Sequence, residues 1–178
     1  MGSTRCAFLI STAIILVLIT RSSSAPDAAT QALINNICGQ TDDSKDCQRS
    51  FYGDLYSDSM DAKGLTQVAL ALTLESASDT RIYLQKAQSD EKRQDVKNLY
   101  RICIQQYLSL ISNFENASLH FAEEEYKLMI SDIEPCERFV NSCQLVMGTK
   151  VADLGAKNLH TKVLVRMSLI SGRLIQGS

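Results

Sequence analysis

The sequence predicts an all-α fold, an up-and-down four-helix bundle with an N-terminal helical hairpin, crosslinked by disulfides. Apolar residues recur at spacings of three and four along most of the chain, which is typical of helices packed on a core. The 178 residues include only two prolines, Pro26 and Pro135, so little interrupts long helices. No segment competes as a strand. A chain of this length is expected to form one domain.

The first 25 residues are predicted to be a signal peptide, whose removal leaves residues 26–178 as the mature domain. Arg5 precedes an apolar run over residues 6–20, which is too short to span a bilayer comfortably. A signal anchor is the alternative interpretation. The cleavage site stays open among three positions, after Ser24, Ala25 or Ala28. We expect a secreted protein, whose net charge changes from −2 to −4 because Arg5 and Arg21 are lost.

Secretion changes how the cysteines are interpreted. Of six cysteines, Cys6 leaves with the signal, and the mature chain keeps Cys38, Cys47, Cys103, Cys136 and Cys143. In an oxidising compartment we expect two bridges and one free thiol. Asn116 begins an Asn-Ala-Ser glycosylation sequon, which fits the same compartment.

Residues 30–62 are predicted to form the hairpin. An apolar patch ends at Cys38, a turn-rich stretch follows, and Cys47 opens a second short amphipathic segment. We predict two short helices joined by a Cys38–Cys47 bridge. Closing so small a loop contributes about 2.5–3 kcal/mol in the chain-entropy model, which matters because short helices alone are marginal.

The bundle is predicted over residues 65–176. A first helix ends near Ser89, and a second helix carries the clearest apolar stripe, formed by Val96, Leu99, Cys103, Tyr107, Leu110, Phe114, Ala117 and Phe121. Such persistent spacing indicates a helix that faces the core. Asn116 lies off this stripe, so a glycan there would point outward.

A third bundle helix begins at Tyr126 and resumes through Met147, and Pro135 is expected to kink or break it between those ends. Gly155 is interpreted as a breaker before the last helix, whose apolar stripe is Val163, Met167, Ile170 and Leu174. Short connections between these helices predict the up-and-down arrangement.

The sequence contains no recognisable motif for catalysis. It lacks G-x-S-x-G, the P-loop, G-x-G-x-x-G and H-E-x-x-H. The two histidines, His120 and His160, have no recognisable nucleophile beside them, so they are predicted to be solvated or structural. We expect no enzymatic activity, no metal and no cofactor. A charge of −2 gives no basic excess for nucleic acid, and we expect no membrane association after signal removal.

Two acidic stretches are predicted to be solvated surface. Residues 42–46 loosely resemble a calcium loop, but Cys47 stands where glycine is required and Gly53 where glutamate is required. The three glutamates of residues 123–125 diverge around a helix, because adjacent helical residues do not share a face.

Several stretches of the mature chain occur together, and in this order, in one known family. They are Leu33-Ile-Asn-Asn-Ile-Cys38-x-x-Thr41 with Cys47, Ala62-Lys-Gly-Leu65-x-x-Val68-Ala69-Leu70, Leu99-x-x-x-Cys103-x-x-x-Tyr107, Cys136-Glu137-x-Phe139 and Lys157-Asn158. Together they cover essentially the whole mature chain. On these stretches the sequence resembles the plant family of invertase and pectin methylesterase inhibitors.

The resemblance implies a four-helix bundle with a helical hairpin, and bridges Cys38–Cys47 and Cys103–Cys136, which leaves Cys143 as the free thiol. The sequence departs from the family pattern, because the stretch between Tyr126 and Cys136 is about two helical turns short. Cys143 lies one heptad further and is a competing partner for Cys103. Loop entropy does not decide, since both closures give roughly 4 kcal/mol and differ by about 0.2. The glutamate and phenylalanine after Cys136 favour it as the partner.

The resemblance further implies that the protein binds and inhibits an enzyme. Pectin methylesterase, bound one to one, is the expected target, and a cell-wall or vacuolar acid invertase is the alternative. The chain lacks the Pro-Lys-Phe motif of several invertase inhibitors, which counts modestly against the alternative. The interface is not identified, although exposed helix faces are expected to form it, with Thr66, Thr73 and Gln105 as examples.

Two further interpretations stay open. A secreted carrier of apolar small ligands is a distant alternative. Such frameworks usually need six mature cysteines with closely spaced pairs, and this chain has five and no such pair. A member of the same family that has lost inhibition is the other.

Overall fold

The computed structural model describes residues 25–147 and 151–177, so the predicted signal peptide over residues 1–25 lies, except for Ala25, outside the described residues. The described residues form seven helices: α1 (Ala28–Cys38), α2 (Ser44–Asp54), α3 (Ala62–Asp90), α4 (Gln94–Ala122), α5 (Tyr126–Ile133), α6 (Cys136–Met147) and α7 (Ala152–Gln176). These two stretches contain no strand, and the predicted all-α class is confirmed.

The hairpin consists of α1 and α2, each begun by an aspartate whose side chain accepts a backbone hydrogen bond. Asp27 accepts from the amide of Thr30, and Asp43 accepts from the amides of Lys45 and Asp46. A disulfide between Cys38 and Cys47 closes the turn, with Cα atoms 5.4 Å apart. The hairpin is thus held at its turn by a covalent bond.

The bundle consists of α3, α4, α7 and the pair α5–α6, which takes the place of one helix. Each of α3 and α7 packs along the other, α4 packs on α3 and on α5–α6, and α7 completes the ring. Pro135 separates α5 from α6, as a proline inside a helical pattern should. Gly155 instead lies inside α7, so its prediction as a breaker is wrong. A lone glycine costs only about 1 kcal/mol in a helix, and the buried neighbours Leu154 and Asn158 offset that cost.

Two sets of buried side chains fill the molecule. The first, which we call the bundle core, runs through α3 to α7 and includes Leu84, Tyr107, Leu110, Phe114, Met129, Ile133 and Val165. The second, which we call the hairpin core, joins Ile34, Ile37 and Phe51 of the hairpin to Leu65, Val68 and Ala69 of α3 and Val163, Leu164 and Met167 of α7. The hairpin therefore packs on the face shared by α3 and α7.

The second disulfide joins Cys103 on α4 to Cys143 on α6, with Cα atoms 4.7 Å apart. Cys136 is the free cysteine, and it is buried. The expected Cys103–Cys136 bridge and the expected free thiol at Cys143 are both wrong.

Antiparallel packing explains this pairing. Measured from Glu124 in the turn after α4, Cys103 lies 21 residues before the turn, Cys143 lies 19 residues after it and Cys136 only 12 after it. Residues at similar distances from a turn face each other in antiparallel helices. Cys136 is two helical turns, roughly 10 Å, short of that level.

Candidate interaction surfaces

Both histidines bond to carboxylates that belong to other helices. The Nδ1 atom of His120 on α4 lies 2.7 Å from a carboxylate oxygen of Asp132 on α5. The Nδ1 atom of His160 on α7 lies 2.7 Å from Asp46 on α2. Neither ring contacts a nucleophile, and both contacts join separate elements. Within residues 25–147 and 151–177, no cluster of histidine, cysteine or carboxylate side chains is arranged to hold a metal ion.

An ion-pair cluster fastens the turn of the hairpin to the bundle. We call it the docking cluster: Asp42 from the turn, Glu137 from α6, and Lys162 and Arg166 from α7. Lys162 lies 2.7 Å from Asp42 and 3.4 Å from Glu137. Arg166 lies 2.6 Å from Asp42 and 3.1 Å from Glu137. Residues 42–46 are therefore more than a solvated turn, because two of their carboxylates, Asp42 and Asp46, bind side chains of α7.

The docking cluster favours the charged form of each member. The hydrogen bond from Lys162 holds the pKa of the Asp42 carboxyl below its ordinary value. Partial burial alone would raise the pKa of Glu137, but the hydrogen bond and charge of Arg166, with those of Lys162, lower it overall. The hydrogen bond to Asp42 raises the pKa of Lys162. Mutual charge stabilisation therefore holds the hairpin against α6 and α7.

A second polar network lies inside the bundle. The Tyr107 hydroxyl donates to the side-chain oxygen of Asn158 at 2.8 Å, and the Asn158 amide donates to Gln144 at 2.8 Å. Burial raises the pKa of Tyr107 to about 12. The hydroxyls of Ser76 and Thr161 lie 3.0 Å apart in the same region. Because each of these groups has a partner, the network fixes how α3, α4, α6 and α7 align.

Two of the three interface examples from the sequence are inaccessible. Thr66 and Thr73 are fully buried on α3, and each hydroxyl donates to the carbonyl four residues earlier, of Ala62 and Ala69 respectively. Of the three examples, only Gln105, which lies on α4, is exposed. The expectation that Thr66 and Thr73 lie on exposed helix faces is therefore wrong, and their hydrogen bonds to backbone carbonyls allow the hydroxyls to be buried.

The outward face of α4 carries few charges. Its exposed residues include Ile102, Gln105, Leu108, Ser109, Ser112, Glu115, Asn116 and Leu119. Asn116 has room for the predicted glycan, which stays a prediction.

The free thiol of Cys136 is not placed for chemistry. The side chain is fully buried, and its sulfur lies 3.4 Å from the carbonyl oxygen of Asp132. Burial raises the pKa of the thiol to about 12, so the reactive thiolate is scarce at neutral pH. Cys136 thus acts as a small apolar side chain of the bundle core.

Comparisons with known proteins agree on one family. A family model described as plant invertase/pectin methylesterase inhibitor matches residues 32–161. A crystal structure of a mutant form of a pectin methylesterase inhibitor from Arabidopsis is similar at a TM-score of 0.72 and 20% identity, covering 79% of this chain and 95% of that one. A crystal structure of a pectin methylesterase inhibitor from Arabidopsis thaliana has a TM-score of 0.62 and 20% identity, covering 80% of this chain and 95% of that one.

At that identity the solved structures establish the fold alone. A comparison with curated protein sequences finds no match. Of the residues in the two described stretches, none belongs to a helix that is both long and apolar enough to cross a membrane.

Proposed function

Because this chain belongs to the plant invertase/pectin methylesterase inhibitor family, we propose that it is secreted and inhibits a pectin methylesterase by forming a one-to-one complex. The match over residues 32–161 carries this proposal, since that range includes all four cysteines of the two disulfides. A family of enzyme inhibitors acts by binding, which fits two histidines that bond to carboxylates of neighbouring helices and a free thiol that is buried.

The structure supports rigid binding of a protein partner. The internal network around Tyr107 and the Cys103–Cys143 bridge fix the helices before any partner arrives. A surface that is already ordered pays little conformational entropy on association. The bundle thus presents fixed helix faces to an enzyme surface.

Invertase is the second candidate target, because the family description names both enzymes. The absence of Pro-Lys-Phe from the chain favours the esterase. With either target enzyme, the proposed role of this chain is binding and not catalysis.

An activity titration against one pectin methylesterase and one acid invertase tests the proposal. The oxidised chain of residues 26–178 is added in steps, and the same chain after reduction and alkylation is the matched control. We expect esterase activity to fall linearly to a stoichiometric end point, with invertase unaffected. Loss of invertase activity alone would make invertase the target in place of the esterase. Loss of neither activity would refute the inhibitor function for these enzymes.

Secretion to the cell wall, with the vacuole as the alternative, belongs to the same proposal. Expression of the full chain in plant cells and mass spectrometry of the secreted product test it. We expect a mature N-terminus after Ser24, Ala25 or Ala28. Retention of an intact N-terminus in membranes would contradict it and favour a signal anchor.

A further inference from the structure

A groove runs along α3 where the hairpin meets the bundle. It consists of two adjoining depressions, of about 220 and 330 Å³, which share the lining residues Leu72 and Glu75. It begins between Asp54 at the end of α2 and Gln67, and continues to Asp79 and His160. We call it the junction groove. From Gln67 to Asp79 it extends about 18 Å at the helical rise per residue.

The junction groove carries three carboxylates and one lysine, so its net charge is negative. Asp54, Glu75 and Asp79 are exposed and line it, and none of them forms an ion pair within the described stretches. The carboxylates of the docking cluster, in contrast, are all paired. One lysine, Lys157, lines the far end of the groove and lies over the ring of Tyr83, 5.3 Å from its centre, and the ring of His160 there bonds to Asp46.

Two of these carboxylates repel each other, and a cationic partner would relieve that repulsion. Glu75 and Asp79 are four residues apart on α3, so they face the same side and repel each other. No lysine or arginine of the described chain lies within ion-pair distance of either of them. A bound cationic side chain converts this repulsion into two attractions.

An exposed aromatic ring stands at the opposite end. Tyr56 lines the groove and is 66% exposed. Its position depends on Gly64, because a Cβ atom there would lie only 2.8 Å from the Tyr56 hydroxyl oxygen. Exposed tyrosines are enriched at protein interfaces and attract arginine through the ring face.

We infer that the junction groove binds an extended, positively charged segment of the enzyme that the protein inhibits. The inference rests on the proposed function for the identity of the partner, and on charge complementarity for the site. An extended strand of five or six residues covers the length of the groove. Its basic side chains pair with Glu75 and Asp79, its apolar atoms contact Leu72, and Tyr56 packs against its other end.

Charge reversal on α3, compared with the same change elsewhere, tests the inference. The groove variant is Glu75→Lys with Asp79→Lys. The control is Glu115→Lys with Glu123→Lys, which exchanges two exposed, unpaired carboxylates outside the groove and changes net charge equally. Helix content and disulfides are verified first for both. We expect the dissociation constant for the inhibited enzyme to rise at least about tenfold for the groove variant and to change little for the control.

Equal losses in both variants would mean that only net charge matters, and would overturn the inference. An unchanged groove variant would do the same while leaving the inhibitor function intact. Loss in the control alone would move the interface to α4.

A second measurement does not depend on any enzyme. An alternating Arg-Ala hexapeptide is titrated into the isotope-labelled chain, and an alternating Glu-Ala hexapeptide serves as control. We expect amide NMR shifts concentrated in residues 67–79 for the basic peptide, lost in the Glu75→Lys, Asp79→Lys variant. If the wild type inhibits neither enzyme but these shifts occur, the proposed function fails and the groove stands. Shifts absent or spread evenly over the surface would overturn the groove.

Discussion

The helices of the hairpin and those of the bundle are held together by different interactions. The hairpin helices α1 and α2 contribute few side chains to the hairpin core, and two of those are the bonded cysteines Cys38 and Cys47. Their attachment is completed by the docking cluster and by the His160–Asp46 contact. The bundle relies on a long apolar core and an internal hydrogen-bond network. A short element thus substitutes crosslinks and charges for buried area.

The largest expected effect separates the two cores directly. Phe114 in the bundle core and Phe51 in the hairpin core are both fully buried. Phe114→Ala is expected to lower the free energy of unfolding by about 3–5 kcal/mol, through lost transfer energy and a cavity. Phe51→Ala is expected to destabilise mainly the hairpin, because Phe51 belongs to the hairpin core and not to the bundle core. Denaturant unfolding and hydrogen exchange measure the two effects.

For Phe51→Ala, exchange should accelerate in residues 28–54 and change little in α4. Uniform acceleration over the whole chain would show that hairpin and bundle unfold as one unit, and the distinction between them would then be wrong.

The two disulfides extend the comparison at a smaller scale. Replacing Cys103 and Cys143 by serine is expected to cost roughly 4 kcal/mol and to affect the whole bundle, since it releases a long loop. Replacing Cys38 and Cys47 is expected to cost about 2.5–3 kcal/mol, confined to the hairpin. Denaturant midpoints measure both.

Cys136→Ala is the matched control for these cysteine replacements, and it should leave both bridges in place. In the unsubstituted protein, peptide mapping should join Cys103 to Cys143. Cys136 should react there with iodoacetamide only after unfolding, because it is buried and its thiol pKa is raised. A Cys103–Cys136 peptide would contradict the pairing.

The docking cluster predicts a pH response of the hairpin alone. The pKa values of Asp42 and Glu137 are lowered in the folded protein, so their contribution is present above the ordinary carboxyl pKa of about 4 and is lost as the pH falls through the folded values. The pKa of Lys162 is raised, so its contribution persists up to about pH 10. Hydrogen exchange at pH 3, corrected for the intrinsic rate, should show earlier opening of α1 and α2 than of α4.

Arg166→Leu is expected to weaken hairpin docking by about 1 kcal/mol, since its partners are partly exposed. Arg173→Leu is the matched control on the same helix, because the Arg173–Glu134 pair is 55% exposed on both sides and lies away from the hairpin. Equal effects of the two substitutions on exchange in α1 and α2 would contradict a specific role for the docking cluster.

The smallest effect is expected on the outward face of α4. Asn116→Gln should remove the glycan predicted at this exposed position while changing the free energy of unfolding by less than about 0.5 kcal/mol. Intact mass after secretion from plant cells and a denaturant titration measure the two results. An unchanged mass would show that the sequon is unused.

Helical periodicity made most of the fold predictable from the sequence. On the α4 stripe, Val96, Cys103, Tyr107, Leu110, Phe114 and Ala117 are buried, because a repeat of 3.6 residues assigns a face without tertiary information. Local motifs do not determine the partner of Cys103, because the pairing depends on the distance of each cysteine from the turn at Glu124. By that distance Cys143, 19 residues after the turn, lies level with Cys103, 21 residues before it.

The junction groove could not be predicted in this way. Asp54, Glu75 and His160 are far apart in the sequence: the packing of α7 on α3 brings His160 beside Glu75, and the docking of the hairpin adds Asp54. The same holds for the His160–Asp46 contact, whose partners are 114 residues apart. Periodicity reports which face is buried, but it carries no information about which distant residues share an exposed one.

The placement of the two disulfides has a consequence for the products of limited proteolysis. Each bridge spans an exposed turn: Cys38–Cys47 spans the turn before α2, and Cys103–Cys143 spans the turn at Glu124, a residue with a φ of 61°. A single cut in either turn leaves the fragments covalently joined and packed. A cut between α3 and α4, near Lys92, separates the chain into two pieces that no disulfide connects. Nicked protein should therefore run as one band without reductant after the first kind of cut, and as two after the second.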